Sequence, residues 1–400
     1  MRVLFGLVLA TPLALAAQAS PSDSGAFLIT LGADTVIVER YTRSGDQLVD
    51  DMVLRDRTPT IVRHFVATLR PDGSVARLEL DAKLAAGGAG GAGSALHGVA
   101  TFTTDETFFE ITRDGGKRRA TVVTPGGALP FFNYSFTLYE QIGRRARALG
   151  KSPVKVPVIG VGDSSPFDLT VAFPAPDSLT VGFGDEAPTR MKLDATGRVL
   201  GADGRLTTQK VIVTRLPTLD LTAFAARFAG RALGTLSPPD SIRAEVAGAR
   251  IAIDYSRPAM RGRKIFGAVV PWDSVWRTGA NAATRFTTSA DLVMGGTTIP
   301  KGAYTLWTVP SASGWKLIVN SQTKAPCQGS ACMLPTRRPL WGTDYAADSD
   351  FVRLDLHVDQ LTRPVEQFTI AVAPQDNGAV LRMEWETTRV SIPFTRKPQP

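Results

Sequence analysis

Two-residue alternation of apolar and polar side chains dominates this chain. From Ser74 to Asp81, Ala76, Leu78 and Leu80 face one way and Arg77, Glu79 and Asp81 the other, as in a half-buried strand. The period returns at Val352, Leu354, Leu356 and Val358 against Arg353, Asp355 and His357, which puts His357 in solvent. It returns again at Leu381, Met383 and Trp385 against Arg382, Glu384 and Glu386. Turn chemistry punctuates these runs at Pro71-Asp72-Gly73, Asp114-Gly115-Gly116, Ala195-Thr196-Gly197, Asp203-Gly204 and Asn377-Gly378. The pattern predicts an all-β protein of many short strands.

Helical spacing interrupts it twice. Leu138, Ile142 and Leu149 mark a short helix over Leu138 to Lys151, with Arg144, Arg145 and Arg147 on its flank. Asp220 can cap a second helix in which Leu221, Phe224, Ala225, Phe228 and Ala232 recur, stopped by Pro238 and Pro239. All six tryptophans lie beyond that point, which predicts two separate cores. The expected organisation is a leader over 1–19, an antiparallel β half-barrel or curved sheet with a short helix over 22–218, a linker helix over 219–235 and an antiparallel β-sandwich over 236–396. Gly87 to Ser94 lacks the Gly-Lys-Ser/Thr ending of a phosphate loop and is expected to be a connector.

The leader has Arg2, an apolar run from Val3 to Ala17 containing Pro12, and a small-x-small site at Ala17-Gln18-Ala19. It predicts a secreted, periplasmic protein. No later apolar run is long enough for a transmembrane span. The formal charge is +8, but export argues against nucleic acid as a partner. An acidic ligand or an anionic envelope surface fits better. Cys327 and Cys332, in CQGSAC, predict a small disulfide-closed loop in an oxidising compartment. The three histidines, His64, His97 and His357, are scattered, so neither a metal site nor another cofactor site is expected.

The densest chemistry lies between Tyr255 and Asn281. Arg257, Arg261, Arg263, Lys264 and Arg277 stand there against one acid, Asp273, with Tyr255, Trp272 and Trp276 interleaved. Guanidinium forks bind oxyanions and rings stack on apolar faces. Tyr255, Arg257, Arg261, Arg263, Lys264, Trp276, Arg277 and Asn281 are therefore the candidate ligand-binding residues, for a small acidic or carbohydrate ligand. Equally open is a structural corner in which Arg257 and Arg277 pair with Asp254, Asp273 or Glu384. Trp307, Trp315 and Trp385 occupy strand positions and read as core.

No catalytic residue is assigned. Gly162-Asp163-Ser164-Ser165 reads as a turn, and no Gly-x-Ser-x-Gly elbow exists. Glu384 and Glu386 would share a strand face, but Arg382 beside them predicts a neutralised wet surface. Three functions follow in order: a non-catalytic binding module, an envelope interaction or assembly protein, and a carboxylate-dependent hydrolase.

Several motifs occur in a fixed order: YSRP from Tyr255, GRKIFG from Gly262, VWRTGAN from Val275, KGAYTLWTVP from Lys301, WGTDY from Trp341 and MEWETTRVSIPF from Met383. Through them Leu236 to Phe394 resembles the bacterial family catalogued as domain of unknown function 2911. The resemblance implies a secreted or periplasmic β-domain and brings no activity, substrate or catalytic residue with it. This chain departs from the family pattern at Ala325 to Leu340, an inserted loop that carries both cysteines. The first half is similar only in outline to periplasmic half-barrel proteins that carry lipids or lipoproteins.

Overall fold

The structure is a computed structural model that describes residues 23–56, 60–85, 95–113, 115–184, 186–324 and 340–398. The leader, the Gly87 to Ser94 connector and the Cys327–Cys332 pair lie outside the described residues. Within them the chain is all-β, with large antiparallel sheets.

The first sheet has fifteen strands, arranged as two meanders joined at their starting edge. One meander runs from Asp23–Leu31 outward to Gly116–Val123. The other runs inward from Val154–Ile159 to Ile212–Leu216, which pairs antiparallel with the first strand, Ala26 opposite Leu216. The two-residue strand Leu129–Pro130 at the far edge pairs in parallel with Val154–Ile159. One core serves both arms. Phe27, Tyr41, Phe65 and Phe102 from one arm and Val171, Val181, Leu193 and Val213 from the other belong to it.

Helix α1, Phe136–Ala148, is the piece about which the arms pack. Most of its length is buried, and Phe136 stacks on Tyr139 with centroids 5.1 Å apart. It starts two residues before the helix expected from Leu138. The extra turn is capped from another strand, because the Glu39 carboxylate accepts the Ser135 hydroxyl (2.8 Å) and the N–H groups of Phe136 (2.8 Å) and Thr137 (3.2 Å). Its end comes at Ala148, before Lys151, where Gly150 takes a left-handed conformation.

Helix α2, Leu221–Phe228, is shorter than the linker helix the spacing predicts. Asp220 caps it as expected, accepting the Ala223 N–H at 2.9 Å. The far end is captured by the first sheet: Thr60 donates to the Phe228 carbonyl, and the Arg55 guanidinium lies 4.1 Å over the Phe228 ring while bonding the Arg231 carbonyl. Ala232 is thus pulled out of the helix. Leu221 and Phe228 pack with Ala26, Val38 and Val53, so this segment covers the outer face of the first sheet.

The second sheet has nine strands and folds over into two layers, with Pro239–Val246 and Thr297–Ile299 as its two edges. Pro239–Val246, Ala249–Ser256, Thr284–Thr288, Gly302–Val309 and Trp315–Asn320 make one layer. Gly378–Arg396, Leu292–Met294 and Thr297–Ile299 make the other. The strand Asp350–Gln375 belongs to both, pairing with Trp315–Asn320 through its first residues and with Gly378–Arg396 from His357 onward. Ile251, Ile253, Phe286 and Leu317 meet Leu381, Met383, Trp385 and Phe394 in the core between. The expectation of short strands fails for this hairpin, whose arms are 26 and 19 residues long. Pro364, Pro374 and Pro393 look like breakers in sequence. The hairpin absorbs its irregularities in register shifts between Gln360 and Thr369.

Candidate functional site

The strand Ala249–Ser256 turns Ile251, Ile253 and Tyr255 inward in alternation, as its pattern predicts. The buried Tyr255 hydroxyl donates to Asp240 Oδ2 (3.2 Å) and accepts from the Ile370 N–H (3.1 Å). Pro258 then keeps the chain extended, and Arg257 is stitched to the long shared strand. Its Nε donates to the Phe368 carbonyl at 3.1 Å and its Nη2 to Thr369 Oγ1 at 2.8 Å, with Asp240 3.4 Å from Nη1. Asp240, rather than Asp254, Asp273 or Glu384, is the acid beside Arg257. Asp254 pairs with Arg243 instead.

The loop that follows bends at Arg261 and Gly262, both left-handed. Arg263 folds back to close it, donating to the carbonyls of Met260 (2.9 Å) and Ala259 (2.7 Å). Arg261 leaves the sandwich altogether and pairs with Asp34 of the first sheet at 2.5 Å. Its carbonyl accepts the Ala33 N–H at 2.9 Å. Lys264 is exposed. Trp276 stacks on Trp385 (5.7 Å between centroids) and edges against Phe368, with its indole N–H on the Gly279 carbonyl. Trp272 is 39% exposed and stacks on Phe266. Trp307, Trp315 and Trp385 are core, as their strand positions predict.

The last motif residues meet another motif. Arg277 Nη1 donates to the Asn281 carbonyl (3.2 Å), which also accepts the Gly342 N–H (2.9 Å), and Ala282 bridges Trp341. VWRTGAN and WGTDY, sixty residues apart in the chain, are therefore one structural unit. Gly342 admits the close approach of Arg277: a Cβ at this position would meet Cδ, Nε and Nη1 of that side chain. Asn281, itself left-handed, reaches the Ser237 carbonyl with its amide.

Two residues of the first half complete this region, Lys210 and Glu186. Lys210 donates to the Val269 carbonyl at 3.0 Å. Burial, together with the charges of Arg277 and Arg263, pushes its amine down to about 8. Burial likewise lowers Arg277 and Arg263, and it raises the carboxyl of Glu186, which hydrogen bonding to Thr208 and then the charges of Arg277 and Lys210 partly offset. Lys210 and Arg277 are thus two partly desolvated cations beside Glu186, while Arg263, which also acts on Lys210, is opposed by Glu366 and Asp34. Sequence reasoning assigned neither Lys210 nor Glu186 to a site. They lie outside the recognisable motifs, and only the docking of the two halves brings them in.

The carboxylates Glu384 and Glu386 do not share a simple strand face. Glu386 is left-handed and accepts the Phe266 N–H (3.4 Å), while Glu384 pairs with Arg389 at 2.5 Å and not with Arg382. No group of metal-ligating side chains stands together among the described residues, and none of their helices is long and apolar enough to cross a membrane.

No curated protein and no solved structure matches this chain. Residues 237–394, which take in the strands of the second sheet but for Thr395 and Arg396, match the model of the family described as "Protein of unknown function (DUF2911)".

Proposed function

We propose that this is an exported, non-catalytic binding protein that holds a small acidic ligand at the seam between its two halves. One observation carries the reading: Lys210 and Arg277 stand with reduced hydration beside one opposing acid, Glu186, and each is felt by it. A carboxylate, phosphate, sulfate or sugar acid entering there supplies the missing negative charge, and the poor solvation strengthens each contact. Arg277 and Lys210 are the recognition groups, and Asn281 holds Arg277 in place through its carbonyl.

A second reading is favoured by the other arginines. Arg257, Arg261 and Arg263 spend donors on protein acceptors, as expected of an envelope interaction or assembly protein with a structural arginine cluster. Thermal shift of the whole protein against malonate, phosphate, sulfate and glucuronate separates the two, with glucose as the uncharged control. The binding reading expects saturable shifts for the anions that Arg277→Gln and Lys210→Met abolish. If no anion shifts the wild type, and the protein elutes from envelope extracts only in a large assembly, the second reading replaces it.

A further inference from the structure

A cleft of about 630 Å³ opens in the first half, far in sequence from every recognised motif. It lies between the two arms of the fifteen-stranded sheet. The hairpin ends around Gly45 and Pro71–Gly73 form one wall, the last turns of α1 the floor, and Phe173, Leu179, Leu193 and Thr196 the opposite wall. Its lining divides by chemistry. Leu69, Pro71, Phe173, Leu179 and Leu193 are apolar, while Arg43, Arg70, Arg144 and Arg147 are cations opposed by Asp46 and Asp72.

The cations are not equivalent. Arg70 is fixed by the carbonyls of Val75 and Phe102, each at 2.7 Å. Arg147 bonds the Pro176 carbonyl and lies 4.3 Å over the Phe173 ring. Asp72 is already held by Arg145 at 2.7 Å. Arg43 is different. Gln141, whose own amide is anchored on the Gly73 carbonyl, accepts Nη1 at 2.7 Å, but Nε and Nη2 have no protein partner among the described residues and no access to water. Nε of Arg144 shares that condition, while its Nη2 pairs with Glu140 at 3.1 Å. Unmatched donors on a cation are costly, and burial together with the nearby Arg144 lowers the Arg43 guanidinium accordingly. The floor is meanwhile shaped for close apolar packing: a Cβ at Gly143 would stand 2.8 Å from Leu179 Cδ2.

We propose that this cleft binds an amphipathic anion, with a carboxylate or phosphate head among Arg43, Arg144 and Arg147 and an apolar body along Leu69, Phe173, Leu179 and Leu193. The head supplies acceptors for the Arg43 donors that neither Asp46 and Asp72 nor the Glu140 paired with Arg144 provides, and the body covers side chains that line an open mouth. Helix α1 makes the two ends of the site one object, since Gln141, Gly143, Arg144, Arg147 and Ala148 all come from it. The site is independent of the seam and does not rest on the function proposed there.

Calorimetric titration of the whole protein with decanoate and with decyl phosphate, below their micellar concentrations, tests this. Decanol and inorganic phosphate serve as the head-less and tail-less controls. The expected result is saturable one-site binding of at least one amphiphile, about tenfold or more tighter than either control, as one charge-assisted contact implies. Which of the two binds tighter distinguishes a carboxylate from a phosphate head. Arg147→Met and Arg43→Met should each weaken it about tenfold. Ala148→Trp, at an exposed position lining the cleft, should abolish it without lowering the melting temperature, and Arg277→Gln should leave it unchanged. Decanol binding as tightly as the anions, inorganic phosphate binding as tightly as decyl phosphate, or full binding by a folded Ala148→Trp protein overturns the proposal.

Discussion

Asp50 lies diagonally across from Glu39 on the neighbouring strand, and both carboxyls are fully buried, each acting on the other's ionisation. Three donors from the start of α1 converge on Glu39, whereas neither oxygen of Asp50 has a hydrogen-bond partner among the described residues. Glu39 is therefore the anion and Asp50 holds the proton. Burial and the charge of Glu39 both push the Asp50 carboxyl well above its ordinary value.

The consequence for stability has a definite sign. The unfolded chain titrates Asp50 near about pH 4, and the fold raises it, so the contribution is fully present below that pH and is lost as pH rises through the folded value. Asp50→Asn mimics the protonated acid. Urea unfolding at pH 5 and pH 8 should show the variant gaining about 1–2 kcal/mol on the wild type at the higher pH, with a smaller difference at the lower. A variant less stable than wild type at pH 8 contradicts the assignment of the proton. Glu39→Gln points two amide hydrogens at the cap and should cost roughly 2 kcal/mol or more at either pH.

Lys210 makes anion binding at the seam weaken as pH rises, because deprotonation removes a cation from the site. With its amine held near about 8, the cation is lost within the accessible alkaline range. Affinity for malonate should fall from pH 7 to pH 9 in the wild type. In Lys210→Arg, whose charge persists, it should stay level. A wild-type affinity that does not change over this range removes Lys210 from the site.

Gly342→Ala should act through Arg277 alone. The added methyl strikes the flexible end of a side chain rather than backbone, so the arginine moves and the fold persists. The expected outcome is a melting temperature within a few degrees of wild type and a loss of anion affinity matching Arg277→Gln. Unfolding would instead mean that the close approach is a keystone of packing.

Gly32 meets the same loop from the other half, and there the obstruction is backbone. It is left-handed, and a Cβ would run into the Arg261 carbonyl. Gly32→Ala should therefore loosen the junction beside the Arg261–Asp34 pair. Limited proteolysis should cut the variant faster between Ala229 and Pro238, with both halves surviving as fragments. A double-mutant cycle on Arg261 and Asp34 should return about 1 kcal/mol of coupling.

What the sequence revealed and what it hid divide along a physical line. Alternation named the strands of Val75–Leu84, the inward turn of Tyr255 and the exposure of His357, because each depends on neighbours one or two positions away. The extent of α1 was hidden, since its cap is Glu39, almost a hundred residues upstream. The end of α2 was hidden for the same reason, being set by Thr60 and Arg55. Motif density pointed to the Arg257–Asn281 region without separating its members. Arg257 and Arg263 serve carbonyls, Arg261 serves the other half, and Arg277 faces the seam, distinctions that arise only from what folds against them.

The strand Asp350–Gln375 runs through both layers of the second half, and that has a mechanical meaning. Tension entering at the C-terminal strand passes along its long partner in shear, so many backbone bonds must fail together rather than one after another. The layers cannot part without that shared spar being torn from one of them. The seam to the first half, held by the Arg261–Asp34 pair, the Ala33 amide and the Lys210 amine, has no such continuity. Under load the two halves should separate first, and the sandwich should be the last part to yield.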